Sequence, residues 1–432
     1  MRAVLLAAAA TLALAACSGK TDFDRTTQMG SNPVLPAPQQ YLVPPMHIAP
    51  VAKWKNGEAP TAAGLTVRPL ATGLEHPRQL YVLPNGDVLV VESSGPPAPV
   101  HRPKEIIMGW VQGHAGAGAK GAQRITLLRD ADRDGRFETR TVLLDHLNSP
   151  FGVALVGGDL YVANTDALVR YPYQVGQTTI TAPGVKVTDL PGGPIDHHWT
   201  KSLTASPDGS KLYVGVGSNS NITENGMEAE KERAAVWEVD RATGAHRLFA
   251  TGIRNPTGVA FEPVSKRLWA IANERDELGP DLVPDYLTSV RDGGFYGWPF
   301  SYYGRHLDPR VMPQRPDLVA KALVPDVALS SHTAPLGLAF FAGGSLGPRF
   351  AGGGAFVGEH GSWDRNPFNG YKVVFVPFAN GRPVGKPQDV VTGFIGPNGK
   401  AHGRPVGVAV ARDGALLIAD DLGDTVWRVS AR

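Results

Sequence analysis

A pattern of short apolar stretches separated by Pro and Gly turns recurs along the chain from residue 70 onward. In each copy a Pro or Gly turn leads into an apolar stretch, a turn containing Gly follows, and a second apolar stretch comes next. The first copy passes through Asn85-Gly86 into the run from Val88 to Val91, and the copies begin near residues 79, 151, 202, 257, 336 and 406. Apolar runs on either side of such a turn are typical of β-hairpins. The pattern therefore predicts six related units built from strands.

The spacing of the six copies favours a six-bladed β-propeller. Spacings of roughly 50 to 80 residues suit four-stranded blades with insertions, and two packed β-sandwiches would not produce six related copies. A length of 432 residues would otherwise suggest about three domains. We therefore predict an all-β fold in which residues 65–432 form a single six-bladed β-propeller domain.

The first residues have the features of an export signal. Met1-Arg2 is followed by an apolar run over residues 3–13, which is long enough for a secretory signal and too short to span a bilayer. Residues 14–17 then resemble a bacterial lipobox, which predicts a signal peptide over residues 1–16 and lipidation of Cys17. The alternative is a plain signal peptide with a small-residue cleavage site. A lipid anchor predicts a protein exported to the periplasmic face of a membrane, and Ser18, in place of an Asp, favours the outer membrane.

Residues 17–64 are predicted to be a Pro-rich tether. Seven prolines occur between residues 33 and 60, and such a composition favours extended conformations over a packed domain. We expect this segment to run over the propeller and to take no part in the chemistry.

Composition excludes several functional classes. The chain has 42 Lys and Arg against 40 Asp and Glu, so its formal charge is +2. This balance argues against a nucleic-acid partner. A single cysteine excludes a disulfide scaffold, a zinc ribbon and an iron–sulfur cluster. The sequence also lacks a haem-attachment motif, a Walker A loop and a dinucleotide-binding unit.

The loop before the third copy contains two adjacent histidines, His197 and His198, flanked by Asp196 and Lys201. If the segment is extended, the two rings point to opposite sides, so one of them can face a central cavity. A histidine there could act as a general base near neutral pH. The alternative is a loop histidine that bonds to the backbone.

Two further loops between copies have polar residues that hairpins do not require. Arg254 and Asn255, held by the following proline, could present a guanidinium and an amide to an anionic ligand, although a surface arginine and a turn asparagine would look the same. The run from residue 273 through Asp285 mixes carboxylates with Gly and Pro, which could form a calcium cradle or a solvated acidic loop. Residues 130–135 match the start of an EF-hand loop, but Thr141 stands where a Glu is needed, so we predict a hairpin turn.

Taken together, these motifs resemble the glucose/sorbosone dehydrogenases, and the sorbosone dehydrogenase-like branch most of all. This family comprises six-bladed, pyrroloquinoline-quinone (PQQ)-dependent enzymes. The similarity runs in order from about residue 64 to the C-terminus. The matching segments are DHHWTK at 196–201, GVGSNSN at 215–221, GIRNP at 252–256, NERD at 273–276, YGWP at 296–299 and HGSWDR at 360–365.

The resemblance implies oxidation of an aldose or aldehyde at C1, with PQQ held in the central cavity by Ca²⁺. The catalytic base of the family falls on His198 or His197, depending on the alignment, and the shared His-Trp-Thr-basic order favours His198. Arg254, in the position that contacts the quinone, would offset charge on the reduced quinone oxygen, and Asn255 would contact the quinone beside it. Asp196 and Lys201 are expected to contact the cofactor as well.

The same resemblance assigns the remaining ligands. The calcium-binding carbonyls fall on Gly279 and Pro280, near Asp285. Arg404 falls near the PQQ carboxylates, and His360 is the expected occupant of a position where the glucose dehydrogenases have a Lys. A second arginine of those enzymes is missing here, and His402 lies nearby instead.

The implied mechanism is hydride transfer from C1 to the quinone, with His as base and Ca²⁺ as Lewis acid. Because no haem motif is present, electrons would pass to an external acceptor, a quinone or a cytochrome. Two alternatives remain open at this point, namely a Ca²⁺-dependent sugar lactonase of the gluconolactonase type and a sugar-binding propeller without enzymatic activity.

Overall fold

The computed structural model describes residues 19–41, 45–97, 113, 120–132 and 134–432. Six antiparallel sheets are arranged in a ring, and the first strand of each sheet contacts the first strands of its neighbours. This confirms the six-bladed β-propeller. The first strands begin at residues 77, 152, 201, 255, 335 and 405, each within two residues of the start that the sequence pattern indicates. The predicted signal peptide and Cys17 lie outside the described residues.

In blades A, B and C the first four strands follow chain order from the centre outwards. Blade A contains β3 (Pro77–Val82), β4 (Val88–Glu92), β5 (Arg124–Arg129) and β6 (Thr139–Leu144). Blade B contains β7 (Gly152–Val156), β8 (Asp159–Ala163), β9 (Ala167–Pro172) and β10 (Val185–Asp189). Blade C contains β11 (Lys201–Ala205), β12 (Lys211–Val216), β13 (Ala235–Asp240), β14 (His246–Thr251) and a short parallel fifth strand, β18 (Gly294–Phe295).

The other three blades depart from simple chain order at their outer edges. Blade D contains β15 (Asn255–Phe261), β16 (Leu268–Asn273), β17 (Pro284–Ser289), β21 (Val327–Ser331) and β1 (Met29–Gly30). Blade E contains β22 (Pro335–Phe341), β23 (Gly354–Glu359), β24 (Lys372–Ala379), β25 (Arg382–Pro383) and β26 (Gln388–Val391). Blade F contains β27 (Pro405–Val410), β28 (Leu416–Asp420), β29 (Thr425–Ala431) and β2 (Leu65–Ala71). The ring is therefore closed by an early strand, β2, that pairs with the last strand, β29.

Apolar clusters fill the interfaces between neighbouring blades. Strand β4 shows how the sequence produces them: Val88 and Val90 pack toward blade F, whereas Leu89 and Val91 pack toward blade B. Because alternate side chains point to opposite faces of a strand, a strand between two neighbours must be apolar on both sides. This explains the continuous apolar runs in the second strand of each copy.

Short helical turns and one hairpin lie in the loops. They are the α-helix α1 (Pro316–Val319), the 3₁₀ turns Arg25–Gln28, Met227–Glu230 and Pro348–Phe350, and the hairpin β19 (Ser301–Tyr302) and β20 (His306–Leu307). The segment that resembles an EF-hand loop lies in the connection between β5 and β6. Within the described residues, no helix combines the length and the apolarity that a membrane crossing requires.

The described part of the Pro-rich segment lies on the propeller. Strand β1 pairs with the outer strand of blade D, and the buried Gln28 amide bonds to the backbone oxygen of Asp281 and to Ser330 and Ser331. Further along, Trp54 donates to the buried carboxylate of Asp420 in blade F. The segment is thus attached at several points between blades D and F.

Candidate active site

A cavity of about 150 Å³ lies where the first strands of blades C, D and E begin. Each first strand pairs with a second strand that ends at the same edge, so the residues before one strand meet the residues after the other. The lining is mainly polar and comes from segments of all three blades. It comprises His197, His198, Arg254, Asn273, Glu274, Asp276, Asp285, His332, Ala334, Gly361, Ser362 and Trp363.

His198 is held with a defined orientation at the cavity wall. Its Nδ1 lies 2.8 Å from the backbone oxygen of Ser218. Because a carbonyl oxygen only accepts, Nδ1 carries the proton of the neutral ring and Nε2 is left with a free lone pair. Burial lowers the pKa of His198 well below its usual value, and the positive charges of Arg254 and His197 add to that effect. The ring is therefore a neutral base at physiological pH.

His197 also lines the cavity, but its environment differs. The two imidazole rings meet edge to face with their centroids 4.5 Å apart. The backbone N–H of His197 donates to Asn219 Oδ1, and the residue is exposed. The structure thus brings both predicted histidines to the cavity, with His198 half-buried and His197 exposed.

Asp196 and Lys201 lie beneath this loop, in a buried cluster of charges that is separate from the cavity lining given above. The Asp196 carboxylate lies 3.1 Å from Arg233 and 3.5 Å from Lys201, and it accepts from Thr165. Burial lowers the pKa of Lys201 to about 8, although Asp196 opposes that shift. In this arrangement both residues fix the backbone on either side of the histidines.

Arg254 is fixed at the cavity wall by backbone and side-chain oxygens. Its guanidinium donates to the carbonyls of Asn221 and Glu274 and lies 3.4 Å from Asp276. The next residue, Asn255, begins strand β15, and its buried Oδ1 has no hydrogen-bond partner within the part of the chain that the structure describes. Arg254 thus lines the cavity, and Asn255 lies next to it in the chain.

A second cluster at the cavity consists of Asp276, His332 and Asp364. His332 Nδ1 lies 3.5 Å from Asp276 Oδ1 and 3.3 Å from Asp364 Oδ2, and Nε2 donates to the carbonyl of Gly279. Burial alone would lower the pKa of His332, but the two carboxylates raise it to about 10. Arg254 adds its charge beside Asp276. The cluster therefore combines two carboxylates and one imidazole at a single point of the wall.

The calcium ligands assigned by resemblance have other partners. The carbonyl of Gly279 accepts from His332, and that of Pro280 accepts from Ser331 at 3.0 Å. Asp285 does line the cavity, but its carboxylate accepts from two backbone N–H groups and from Thr333. Burial raises the pKa of Asp285 to about 6. These oxygens connect the loops of blade D to the start of blade E.

His360 and Arg404 lie beyond the lining, on the side of blades E and F. His360 Nε2 lies 3.0 Å from Asp421, which Arg78 also contacts at 2.5 Å. The Arg404 guanidinium lies over the ring of Tyr371, and its buried Nε lacks a hydrogen-bond partner among the described residues. These groups therefore form a second polar region, in which Arg78 and Arg404 each have a buried Nε–H without a partner among the residues that the structure describes.

Sequence reasoning did not assign roles to His332, Asp276 or Asp364. Asp276 and Asp364 belong to the segments NERD at 273–276 and HGSWDR at 360–365. Their spacing along the chain does not indicate that they lie together in the fold. A signal for His332 is its place just before the first strand of a blade, which it shares with Arg254 and Arg404. In a propeller, residues at that position lie at the end of the ring where the first strands of the blades begin.

The chain is similar to known proteins in sequence and in fold. The TrAA12-like family model matches residues 118–284 and 319–432, more than half of the chain. An uncharacterized protein of Borreliella burgdorferi is 26% identical over 56% of this chain and 62% of its own length. A PQQ-dependent pyranose dehydrogenase of Coprinopsis cinerea is 23% identical over 73% of this chain and 44% of its own length. The chain thus spans less than two thirds of both relatives.

Solved structures show the same fold at low sequence identity. The holo PQQ domain of the Coprinopsis cinerea pyranose dehydrogenase has a TM-score of 0.69 at 20% identity, covering 89% of this chain and 100% of that one. The calcium structure of a Trichoderma reesei family AA12 enzyme has a TM-score of 0.70 at 20% identity, covering 87% and 97%. The PQQ-bound aldose sugar dehydrogenase of Streptomyces coelicolor has a TM-score of 0.54 at 18% identity, covering 86% and 99%.

Proposed function

This chain belongs to the TrAA12-like family, and we propose on that premise that it is a PQQ-dependent dehydrogenase that oxidises a sugar or a related aldehyde at C1. An aldose would leave as a lactone, and sorbosone is a candidate for the aldehyde. The small, polar cavity supports a substrate with several hydroxyl groups.

The orientation of His198 is the observation that supports this proposal most. Its Nδ1–H is committed to the Ser218 carbonyl, so Nε2 is the atom that can accept a proton from a substrate hydroxyl. A base that is neutral at physiological pH and fixed in one tautomer is what proton abstraction requires. Such a base typically contributes about 10²–10⁴ in rate.

The residues around the cavity fit the cofactor. PQQ is a planar tricarboxylate, and when bound it supplies a quinone that accepts the hydride. Arg254 lines the cavity, Asn255 has a buried oxygen without a partner, and Arg404 has a buried donor without one, all within the described chain. We infer that these three residues bind and orient the cofactor. Arg254 would also offset negative charge that develops beside it.

The residues assigned to calcium fit less well. The Gly279 and Pro280 carbonyls already accept hydrogen bonds from His332 and Ser331, so they do not form an open pair of ligands. We therefore derive no step of the reaction through calcium at that position.

The mechanism assigned to the chain's own residues is short. The C1 hydroxyl of a cyclic aldose, or of the hydrated form of an aldehyde, approaches His198 Nε2, which takes its proton as the hydride leaves C1. Asp196, held between Arg233 and Lys201, keeps the backbone of the histidine loop in place. We propose that electrons then pass to an external acceptor, a quinone or a cytochrome.

We also propose that the protein is exported and anchored by a lipid on Cys17 at the periplasmic face of the outer membrane. The lipobox-like residues 14–17 support this. Mass spectrometry of the N-terminal peptide tests it: an acylated Cys17 is expected, and an unmodified or cleaved peptide would contradict the anchor.

Reconstitution tests the enzymatic proposal. The purified protein is titrated with PQQ while its absorbance is recorded, and dye reduction is then measured with a panel of aldoses and sorbosone. We expect saturable PQQ binding and substrate-dependent bleaching of the dye. Absence of both, or hydrolysis of sugar lactones without PQQ, would overturn the proposal.

A further inference from the structure

We propose that Asp276, His332 and Asp364 form a binding site for a divalent first-row transition-metal ion, such as Mn²⁺ or Zn²⁺, at the wall of the cavity. The inference stands on side-chain geometry, and it does not depend on the proposed function.

The distances within the cluster suit a bound ion. The candidate ligand atoms, one from each residue, all lie within 4.8 Å of one another. His332 Nδ1 is 3.5 Å from Asp276 Oδ1 and 3.3 Å from Asp364 Oδ2. Ligands about 2.0–2.2 Å from a tetrahedral Zn²⁺ are separated from one another by roughly 3.4 Å. The side chains could therefore bind an ion with little rearrangement.

The second nitrogen of His332 is oriented as in a metal-bound histidine. Its Nε2 donates to the backbone oxygen of Gly279 at 3.0 Å. Histidine ligands almost always donate their other N–H to a carbonyl or a carboxylate, and this bond fixes the tautomer that can coordinate. Gly279 would thus support a metal ligand through its carbonyl.

An oxygen atom without a partner supplies an independent indication of a cation. Asp364 is 4% exposed, and its Oδ1 has no hydrogen-bond partner in the described part of the chain. This atom is an acceptor, and a buried acceptor is costly when nothing satisfies it. A cation bound at the cluster would interact favourably with it.

The ligand set indicates the class of metal. Calcium prefers six to eight oxygen ligands, whereas a set of one imidazole and two carboxylates suits zinc, manganese and related ions. The two carboxylates would balance the charge of a divalent ion. The remaining coordination positions would face the cavity, where a water molecule or a substrate oxygen could bind.

Metal titration of the wild-type protein, freed of metal by a chelator, tests the site. The six-line electron paramagnetic resonance signal of free Mn²⁺ reports the unbound ion, and Zn²⁺ and Ca²⁺ are added in competition. We expect one site that Zn²⁺ displaces and that an equal concentration of Ca²⁺ does not. No saturable binding, or displacement by equimolar Ca²⁺, would overturn the proposal.

Variants locate the ion. Asp364→Asn should weaken Mn²⁺ binding by at least about tenfold. Even the loss of a residue that only hydrogen-bonds to a metal ligand can reduce affinity by that factor. The matched control is Asp132→Asn with Asp134→Asn in the exposed acidic loop, which should leave the cavity site intact. Unchanged affinity in Asp364→Asn, or loss of the site in the control, would contradict the assignment.

A spectroscopic measurement on the folded wild-type protein identifies the ligand without relying on the stability of a variant. Electron spin-echo modulation of bound Mn²⁺ should show coupling to one imidazole nitrogen, and His332→Gln should remove it. A wild-type Mn²⁺ complex without nitrogen coupling would exclude His332 as a ligand. This readout is independent of PQQ and of turnover, so it remains informative if the dehydrogenase proposal fails.

Discussion

Histidines at the edge of the ring where the first strands begin differ in role because their partners differ. His198 donates to a carbonyl and keeps a free lone pair, whereas His332 lies between two carboxylates. His360 is bound to Asp421 near Arg78. The surroundings of the two ring nitrogens therefore differ at each histidine: a carbonyl for His198, two carboxylates for His332, and a carboxylate shared with an arginine for His360.

Replacing His198 separates the two adjacent histidines. We expect His198→Asn to lower kcat by about 10²–10⁴, because the variant loses the proton acceptor, while PQQ affinity changes little. His197→Asn should reduce kcat far less, since His197 is exposed and the ring that contacts the Ser218 carbonyl is that of His198. Steady-state kinetics with PQQ titrations measure both effects. A larger loss of kcat in His197→Asn would assign the base to His197.

The lowered pKa of His198 also affects stability. In the unfolded chain His198 binds a proton near its usual pKa of 6.5, whereas in the folded protein it does so only at lower pH. Below about pH 6.5 the unfolded state binds more protons, so this residue makes stability fall as pH falls. At higher pH the effect disappears.

We therefore expect the unfolding free energy of the wild type, minus that of His198→Asn, to decrease as the pH falls below 6.5. Above pH 7.5 this difference should be constant. Urea denaturation at a series of pH values measures this difference. A constant difference across the whole range would show that the pKa of His198 is not lowered by folding.

At the scale of elements, the strands near the centre of the ring could be predicted and the outer ones could not. Strand β15 contains Pro256, and an apolar run that ends at Phe261 follows it, so the strand is visible in the sequence. Strands β1 and β18 have two residues each and no periodicity to detect. Their pairing depends on contacts between segments that are distant in the chain, which no local pattern contains.

The same reasoning explains the candidate site. His197, His198, Arg254 and Asp285 could be found because each stands in a local motif. The cluster of Asp276, His332 and Asp364 could not be found in this way. Asp276 follows strand β16, His332 precedes β22 and Asp364 follows β23, so only the fold brings the three residues together. The expected carbonyl ligands at Gly279 and Pro280 depend on which hydrogen bonds form, and spacing along the chain does not reveal that.

Gln28 connects an outer element to the site, and its replacement tests the attachment. We expect Gln28→Ala to lower the free energy of unfolding by about 1–3 kcal/mol, because the backbone groups at Asp281 and Ser331 would be buried without partners. Hydrogen exchange should rise in strand β21, next to β1. The matched control is Gln174→Ala in a surface turn, which should change neither quantity. Equal protection of β21 in wild type and Gln28→Ala would show that the segment does not stabilise blade D.

At the scale of the whole molecule, we expect closure of the ring to limit the free energy of unfolding. Strand β2 pairs with β29, so two segments from opposite ends of the propeller domain complete blade F. The apolar clusters on both sides of that blade include residues of β28 and β29. Opening the closure would expose both clusters together, and global unfolding should therefore begin with separation of β2 from β29.

A disulfide across this closure tests that order of events. Thr66 and Ser430 are direct partners in the ladder between β2 and β29, and cross-strand partners have Cβ atoms about 4.5–5.5 Å apart. The double variant Thr66→Cys with Ser430→Cys should gain about 2–4 kcal/mol in the oxidised form, seen as a higher Tm that a reductant reverses. Thr66→Cys alone is the control and should respond to reductant no more than wild type. If the oxidised and reduced double variants melt at the same temperature, unfolding begins elsewhere in the ring, and the closure strand does not limit stability.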